Sequence, residues 1–341
     1  MDILFFTDTH IKNSSVGGYT NFKKMFLHLL KVCDDHNVEF VVFGGDLFDA
    51  RGNIPYEAFN LAMWFIKELV NRNIKIFATV GNHDRLGNYK TYTTHAMEAF
   101  ECAFPDNFKC FKEPIYIFNR DTCTNVIDGE TDISVIETDD SDDLYSIAML
   151  HHDVQGYDFG GYICEDGLDL EHFKDICDLV CVGHYHNASS KGKVRYLGSL
   201  HHMTRNDANT TKYYYIFNTQ TREFIAHEMP QFHPTYITVS IDNIDSFELD
   251  NIGNSIVCFE SNEEVSQEHI VELIEAVKDS GAISAEFKLS SVTRSAVVEL
   301  STGDDIDTVD EALGVLEEWL TKKDYDTDKI LQTKKLVKEI V

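Results

Sequence analysis

Five short clusters of Asp, Asn and His stand out in the 341-residue chain. They are Asp8-Thr9-His10, Gly45-Asp46-Leu47-Phe48-Asp49, Gly81-Asn82-His83-Asp84, His151, and Gly183-His184-Tyr185-His186. Each follows a short apolar run. Imidazoles and carboxylates without thiolates suit Mn, Fe or Zn. Two divalent ions about 3.5–4 Å apart can clamp an in-line displacement at phosphorus. Such a pair needs one bridging carboxylate, and Asp46 is the natural candidate. Asp8 and His10 alternate across one turn and can chelate a single ion. The same alternation points His184 and His186 the same way, so each can serve one of two neighbouring ions. Gly45, Gly81 and Gly183 let the backbone turn sharply beside the ions.

The elements that must position these clusters follow from periodicity. Ile3–Thr7, Phe40–Gly44 and Ile74–Val80 are apolar runs that read as strands. Between them, Tyr19–Asp35 and Pro55–Asn73 carry apolar residues at helical spacing. Strand-helix-strand-helix-strand predicts an α/β layered fold, in which sites gather at the carboxyl ends of strands. Thr91–Phe104 reads as a further helix. Ser146–Leu150, Leu179–Val182, Val194–Gly198 and Tyr213–Phe217 read as more strands. Residues 121–145 hold nine acids and no Lys or Arg, which reads as a solvated face. A boundary is expected near Phe232–Pro234. Beyond it, Tyr236–Ile241, Ile256–Glu260, a helix over Glu268–Ser280, Ala285–Leu289 and Ala296–Leu300 make a small α+β unit. From Asp304 the chain reads as two helices.

The clusters match D-x-H, G-D-x-x-D, G-N-H-D/E, H and G-H-x-H, and the chain thereby resembles the calcineurin-like metallophosphoesterases over roughly residues 1–220. The resemblance implies a layered sandwich of two sheets flanked by helices. It also implies two ion sites. One would take Asp8, His10, Asp46 and His186; the other would take Asp46, Asn82, His151 and His184. His83 resembles the family's acid, facing the leaving oxygen, and Asp84 would orient its imidazole and raise its pKa. Two divalent ions set against Asp8, Asp46 and an attacking hydroxide leave the site at about +1, so no arginine cluster is needed to receive phosphate. Several neighbours keep two readings. Asp49 either supports a ligand or is one. His152 competes with His151, which is preferred because Gly156 follows it by five residues. His201, His202 and Arg205 are either ordinary loop residues or flank the substrate.

Val41-Val42-Phe43-Gly44-Gly45-Asp46-Leu47-Phe48-Asp49, Val80-Gly81-Asn82-His83-Asp84-Arg85 and Tyr196-Leu197-Gly198-Ser199-Leu200 further resemble SbcD-type nuclease subunits. The similarity runs most toward the recombination endonuclease subunits of T-even-like phages, although Leu200 replaces that branch's proline. This implies a nuclease domain over 1–232, a capping α+β domain over 233–303 and a helical segment over 304–341. The last would dock on a coiled-coil, SMC-like ATPase. It also implies Mn²⁺-dependent 3′-to-5′ exonuclease action on duplex DNA ends and single-strand endonuclease action. Relatives pair as homodimers through the helices at 19–35 and 91–104, and here those apolar stripes either do the same or are core. A small-molecule or nucleotide phosphodiesterase acting alone is the alternative. A non-enzymatic scaffold is disfavoured because every expected ligand is present.

Acids outnumber bases by 58 to 29, for a net charge of -29. That excludes a protein that grips DNA through a broad basic surface, and it agrees with a partner supplying DNA binding. Eight cysteines form no C-x-x-C pair, which predicts free thiols and a cytoplasmic setting, the host cytoplasm for a phage protein. No segment reads as a membrane span or a leader.

Overall fold

The computed structural model describes residues 1–289, apart from 14–16, 86–93, 112–114, 119–122, 125–132, 135–145, 158–162, 166, 170–176, 248, 250–251 and 264. Its elements run β1 (Asp2–Phe6), α1 (Gly18–His36), β2 (Val38–Phe43), α2 (Tyr56–Asn71), β3 (Lys75–Thr79), α3 (Glu98–Ala103), β4 (Phe108–Phe111) and β5 (Ile115–Phe118). After two short strands, β6 (Cys123–Thr124) and β7 (Ile133–Ser134), come β8 (Ser146–His151), β9 (Leu179–Gly183), β10 (Ser189–Lys191), β11 (Val194–Tyr196), β12 (Tyr213–Asn218) and β13 (Glu223–Glu228). The last elements are β14 (Thr235–Ser240), β15 (Ser255–Ser261), α4 (Gln267–Asp279) and β16 (Ser284–Leu289).

Six strands form one sheet in the order β13-β12-β1-β2-β3-β4, and five form a second in the order β10-β11-β9-β8-β5. β1, β2, β3 and β4 are mutually parallel, as the helical crossovers require. β8, β9 and β11 are parallel in the second sheet. Strand alternation explains the layers. Leu4, Phe6, Val41, Phe43, Ile76 and Ala78 face one core together with the apolar stripes of α1 and α2. Ile3, Phe5, Phe40, Val42 and Phe77 face a second core against Ile147, Met149, Val180 and Val182 of the other sheet. Both faces of the central strands are therefore buried, which is why these runs are continuously apolar. Phe26 and Phe65 stack at 4.2 Å between α1 and α2. This is the mixed α/β architecture expected of the two-sheet layered fold.

Met1–Thr238, Leu249–Val257 and Val277–Ala285 make one compact unit, and Val239–Glu248, Cys258–Ala276 and the described residues from Glu286 make another. β14, β15 and β16 form a three-stranded sheet in that order.

The expected helix over Thr91–Phe104 is corrected. Residues 91–93 lie outside the described residues, and α3 begins only at Glu98. His95 instead pairs with Arg85 in an isolated bridge, and Ala96 N–H donates to the Asp84 carbonyl. The segment is thus drawn to the loop after β3 rather than coiled. The expected strand at Ala296–Leu300, the helices after Asp304 and most of the acidic stretch 121–145 fall outside the described residues. No helix of the described residues is long and apolar enough to cross a membrane. Cys33, Cys102, Cys110, Cys177 and Cys181 carry free thiols.

Candidate metal centre

The five clusters come together where parallel strands end. The hydrogen-bond ladder between β1 and β2 continues past both strands: Asp8 N–H donates to the Gly45 carbonyl, and His10 N–H to that of Asp46. Asp8, His10, Asp46 and His184 all adopt left-handed backbone, with φ of 50°, 43°, 57° and 96°. That conformation is uncommon and costly for residues with side chains, and here it turns carboxylates and imidazoles inward. Gly45, at φ +92°, has no alternative, because a Cβ there would lie 2.8 Å from His151 Nδ1. A Cβ on Gly81 would lie 2.0 Å from Asp46 Oδ1.

Asp46 is the hub. Its Oδ1 accepts from His83 N–H at 2.8 Å. Its Oδ2 lies 3.4 Å from His10 Nε2 and 3.2 Å from His151 Nε2, so one oxygen faces two groups. On one side, Asp8, His10 and His186 place their donor atoms within 4.8 Å of one another. On the other, Asp46, His151 and His184 do the same, and Asn82 Oδ1 approaches His151 Nε2 at 3.1 Å and His184 Nδ1 at 3.0 Å. All seven residues expected to hold ions thus lie close together, and a third set, His10, Asp49 and His83, also places its donor atoms within 4.8 Å of one another.

These residues fit a pair of cations. Both ring nitrogens of His10 are buried and make no hydrogen bond, an expensive arrangement unless something else takes the lone pair. The Asn82 amide gives a second indication. With its oxygen inward, that oxygen lies among His151 Nε2, His184 Nδ1 and Asp46 Oδ2, a set of atoms a cation would satisfy once His151 is unprotonated. With the amide reversed, its nitrogen would donate to Asp46, His184 and His151, and its oxygen would accept from Arg51 Nη2 at 2.7 Å. A cation held here would select the inward oxygen.

Electrostatics point the same way. Burial opposes ionising Asp8 and Asp46, yet the charge of His151, with His10, holds both carboxyls below the usual range. Burial also opposes a charge on His10, but its contacts with Asp49 and Asp8 and the field of Asp46 push it up to about 10. His151 rises to about 9 against its burial, through Asp46 and Asp8. Burial lowers His184 and takes His186 down to about 4, so both present free lone pairs at neutral pH. Without ions, then, protons on His10 and His151 compensate the carboxylates.

A pH dependence follows. Ligation needs the unprotonated imidazole, so metal affinity should fall as pH drops and should climb until pH passes about 9 to 10. At neutral pH, uptake of ions should release roughly two protons. Calorimetric titration of the metal-free chain with Mn²⁺, in buffers of different ionisation enthalpy, measures that number. Release of no protons would contradict the assignment of His10 and His151.

One sequence expectation changes beside Asp46. Asp84 does not orient His83. Its carboxylate accepts from the N–H groups of Gly81, Asp46, Leu47 and Phe48, at 2.7–3.3 Å, so it clamps the Asp46 turn. Burial and the Asp46 charge push its pKa up to about 7 against those donors. The His83 ring instead places Nδ1 2.7 Å from the Asp49 carbonyl, and its centroid lies 4.8 Å from that of His10. Asp49 Oδ1 stands 3.5 Å from His10 Nδ1 and 3.2 Å from Lys12 Nζ, on the far side of the His10 ring from Asp8 and Asp46. It therefore backs His10.

His151, and not His152, faces Asp46; His152 Nδ1 lies 3.0 Å from the Asp153 carbonyl. His201 and His202 are buried, with ring nitrogens at 2.7–3.0 Å from backbone carbonyls of His202, Thr9 and Thr210. They are internal struts, neither loop surface nor substrate contact. Arg205 is exposed on the 3-10 turn Arg205–Asp207. Sequence reading missed Asp153, whose Oδ1 lies 3.4 Å from His184 Nε2 and accepts from Tyr185 Oη at 2.7 Å. The only hint was a carboxylate two residues after His151.

Residues 1–188 match the family described as calcineurin-like phosphoesterase. The chain is 28% identical over 194 residues to exonuclease subunit 1 of Enterobacteria phage T4, covering 53% of this chain and 54% of that protein. It is 34% identical over 102 residues to putative phosphoesterase 078R of Invertebrate iridescent virus 3, covering 30% of this chain and 28% of the other. The chain thus spans about half or less of the length of these curated relatives. Among solved structures, an archaeal phosphodiesterase aligns with a TM-score of 0.35 and 18% identity, covering 67% of this chain and 99% of that chain. The nuclease MPE of Pseudomonas putida aligns with a TM-score of 0.29 and 16% identity, covering 57% of this chain and 66% of that one.

Proposed function

Because the chain belongs to the calcineurin-like phosphoesterase family, we propose that it is a two-metal DNA nuclease subunit of a recombination or repair complex with an SMC-like ATPase. The observation that carries this reading is Asp46 Oδ2, which faces both donor groups at once. When bound, two divalent ions supply charge neutralisation at phosphorus and an acidified nucleophile. Asp8, His10, Asp46 and His186 would hold one; Asp46, Asn82, His151 and His184 the other. Mn²⁺ suits this set of imidazoles and carboxylates.

The chain's own residues do the rest. Asp84 holds the Asp46 turn rigid through four backbone donors, so the Asp46 carboxylate needs little reorganisation when charge develops. His83, with Nδ1 donating to the Asp49 carbonyl, keeps Nε2 for the leaving oxygen and acts as general acid. Asp49 fixes the His10 ring from behind, and Asp153 does the same for His184.

Nucleic acid is favoured as substrate by the relationship to a phage exonuclease subunit, and the word subunit in that protein's name favours a partner. A net charge of -29 leaves this chain a weak DNA binder alone, so the ATPase would deliver the substrate. Residues 1–232 would be the nuclease domain, 233–303 a cap and 304–341 the docking segment. Cleavage would run 3′ to 5′ from duplex ends and act endonucleolytically on single strands.

The test sets end-labelled duplex and single-stranded DNA beside a generic aryl phosphodiester, each with Mn²⁺ and with and without a co-expressed ATPase. DNA degradation stimulated by the ATPase is expected. Hydrolysis of the small phosphodiester without any DNA cleavage would replace this reading with a small-molecule phosphodiesterase.

A further inference from the structure

One buried charge pair lies outside the machinery above. Lys212 and Asp207 are each only 1% exposed and meet at 2.6 Å. A buried ion pair is weak evidence for stability, since apolar residues of similar volume often do as well. What this pair holds is more informative. Lys212 Nζ also donates to the His186 carbonyl at 2.8 Å and to Asn187 Oδ1 at 3.1 Å. Asp207 Oδ2 accepts from Met203 N–H, Thr204 N–H and Thr204 Oγ1. Every charged atom is therefore used, and the pair ties the turn at 203–207 to the backbone of a metal-ligand candidate.

The other end of the same segment reaches the same half of the site. Ser199 N–H donates to the His186 carbonyl at 3.0 Å, and Ser199 Oγ reaches it at 3.3 Å. Ser199 also pairs with Thr7 in a parallel bridge. His201 Nε2 lies 3.0 Å from the Thr9 carbonyl, between Asp8 and His10. Gly198 permits this approach: at φ +75°, a Cβ there would lie 2.9 Å from the His186 carbonyl. The segment so spans two turns from different sheets, one carrying Asp8 and His10 and the other His186. Among the described residues, no hydrogen bond of Ser199, His201 or Lys212 reaches Asn82, His151 or His184.

We propose that the Ser199–Lys212 segment, itself without a metal ligand, sets the spacing between the Asp8–His10 turn and His186, with the Lys212–Asp207 pair as its lock. It is a positioning device for one ion site and not for the other. The inference rests on the two-ion reading of the site. Supporting groups of this kind typically change metal affinity by about 10–100-fold, and here the effect should be confined to one site.

The experiment is a two-site Mn²⁺ titration of the metal-free full chain, read as free Mn²⁺ by electron paramagnetic resonance. Lys212→Met keeps the volume and removes the donor. It should weaken one of two sites by about 10–100-fold and leave the other within about twofold. Adding Asn82→Ala to Lys212→Met should then remove the surviving tight site, which identifies it as the one shared by Asn82. Equal weakening of both sites, or of neither, overturns the proposal. Uptake of fewer than two ions by the unaltered chain would instead overturn the two-ion reading. Should circular dichroism show Lys212→Met unfolded, Ser199→Ala decides. It retains the ion pair and should give a smaller weakening of the same single site, and no selectivity there also overturns the proposal.

Discussion

Asp46→Asn should lower phosphodiester hydrolysis by at least about 10³-fold, equivalent to about 4 kcal/mol of transition-state stabilisation. Among the described residues, a single Asp46 oxygen faces an imidazole of each donor group. Oδ2 stands 3.4 Å from His10 Nε2 and 3.2 Å from His151 Nε2, and Oδ1 accepts from His83 N–H. The amide keeps the shape of the carboxylate and one oxygen. It removes the charge that two cations would share, and it can present a donor to a ring nitrogen. The loss should appear in kcat and in metal content together. Steady-state kinetics alongside metal analysis would check both. Near-normal turnover would mean that Asp46 does not bridge.

His83→Ala should behave differently. General acids typically contribute about 10²–10⁴ in rate, and kcat should fall within that range. Metal content should not change, because the ring is anchored to the Asp49 carbonyl and its backbone, not its imidazole, contacts Asp46. A substrate with a good leaving group, which needs little protonation, should recover most of the loss. Equal losses on good and poor leaving groups would assign His83 to binding rather than proton transfer.

Much of this site was legible because its ligands follow strands directly. When the residue after a buried strand lies at a sheet edge, spacing along the chain reports position in space. Asp8, Asp46 and Asn82 follow three neighbouring parallel strands, His151 ends a fourth strand and His184 follows a fifth. Both-faced burial of β1, β2 and β3 likewise shows as continuous apolar runs. What stayed hidden depends on side-chain direction. Asp84 sits beside His83 in sequence, yet its carboxylate turns back to the backbone of Asp46, Leu47 and Phe48. Adjacency suggested a pair that the turn geometry forbids. Lys212 and Asp207 look like any surface acid and base five residues apart, and only the fold buries them. His95 lies in an apparently helical stretch, but its bridge to Arg85 outweighs local propensity. β13, with four of its six residues exposed, carries too weak an apolar pattern to be read, and its pairing with β12 makes it a strand.

The proposal that Asp46 serves two ions is tested most directly by electron paramagnetic resonance of the Mn²⁺-loaded chain. Two ions per chain are expected, with the exchange-coupled spectrum of a bridged pair, and the coupling should disappear in Asp46→Asn. A single uncoupled ion in the unaltered chain would contradict the two-metal centre.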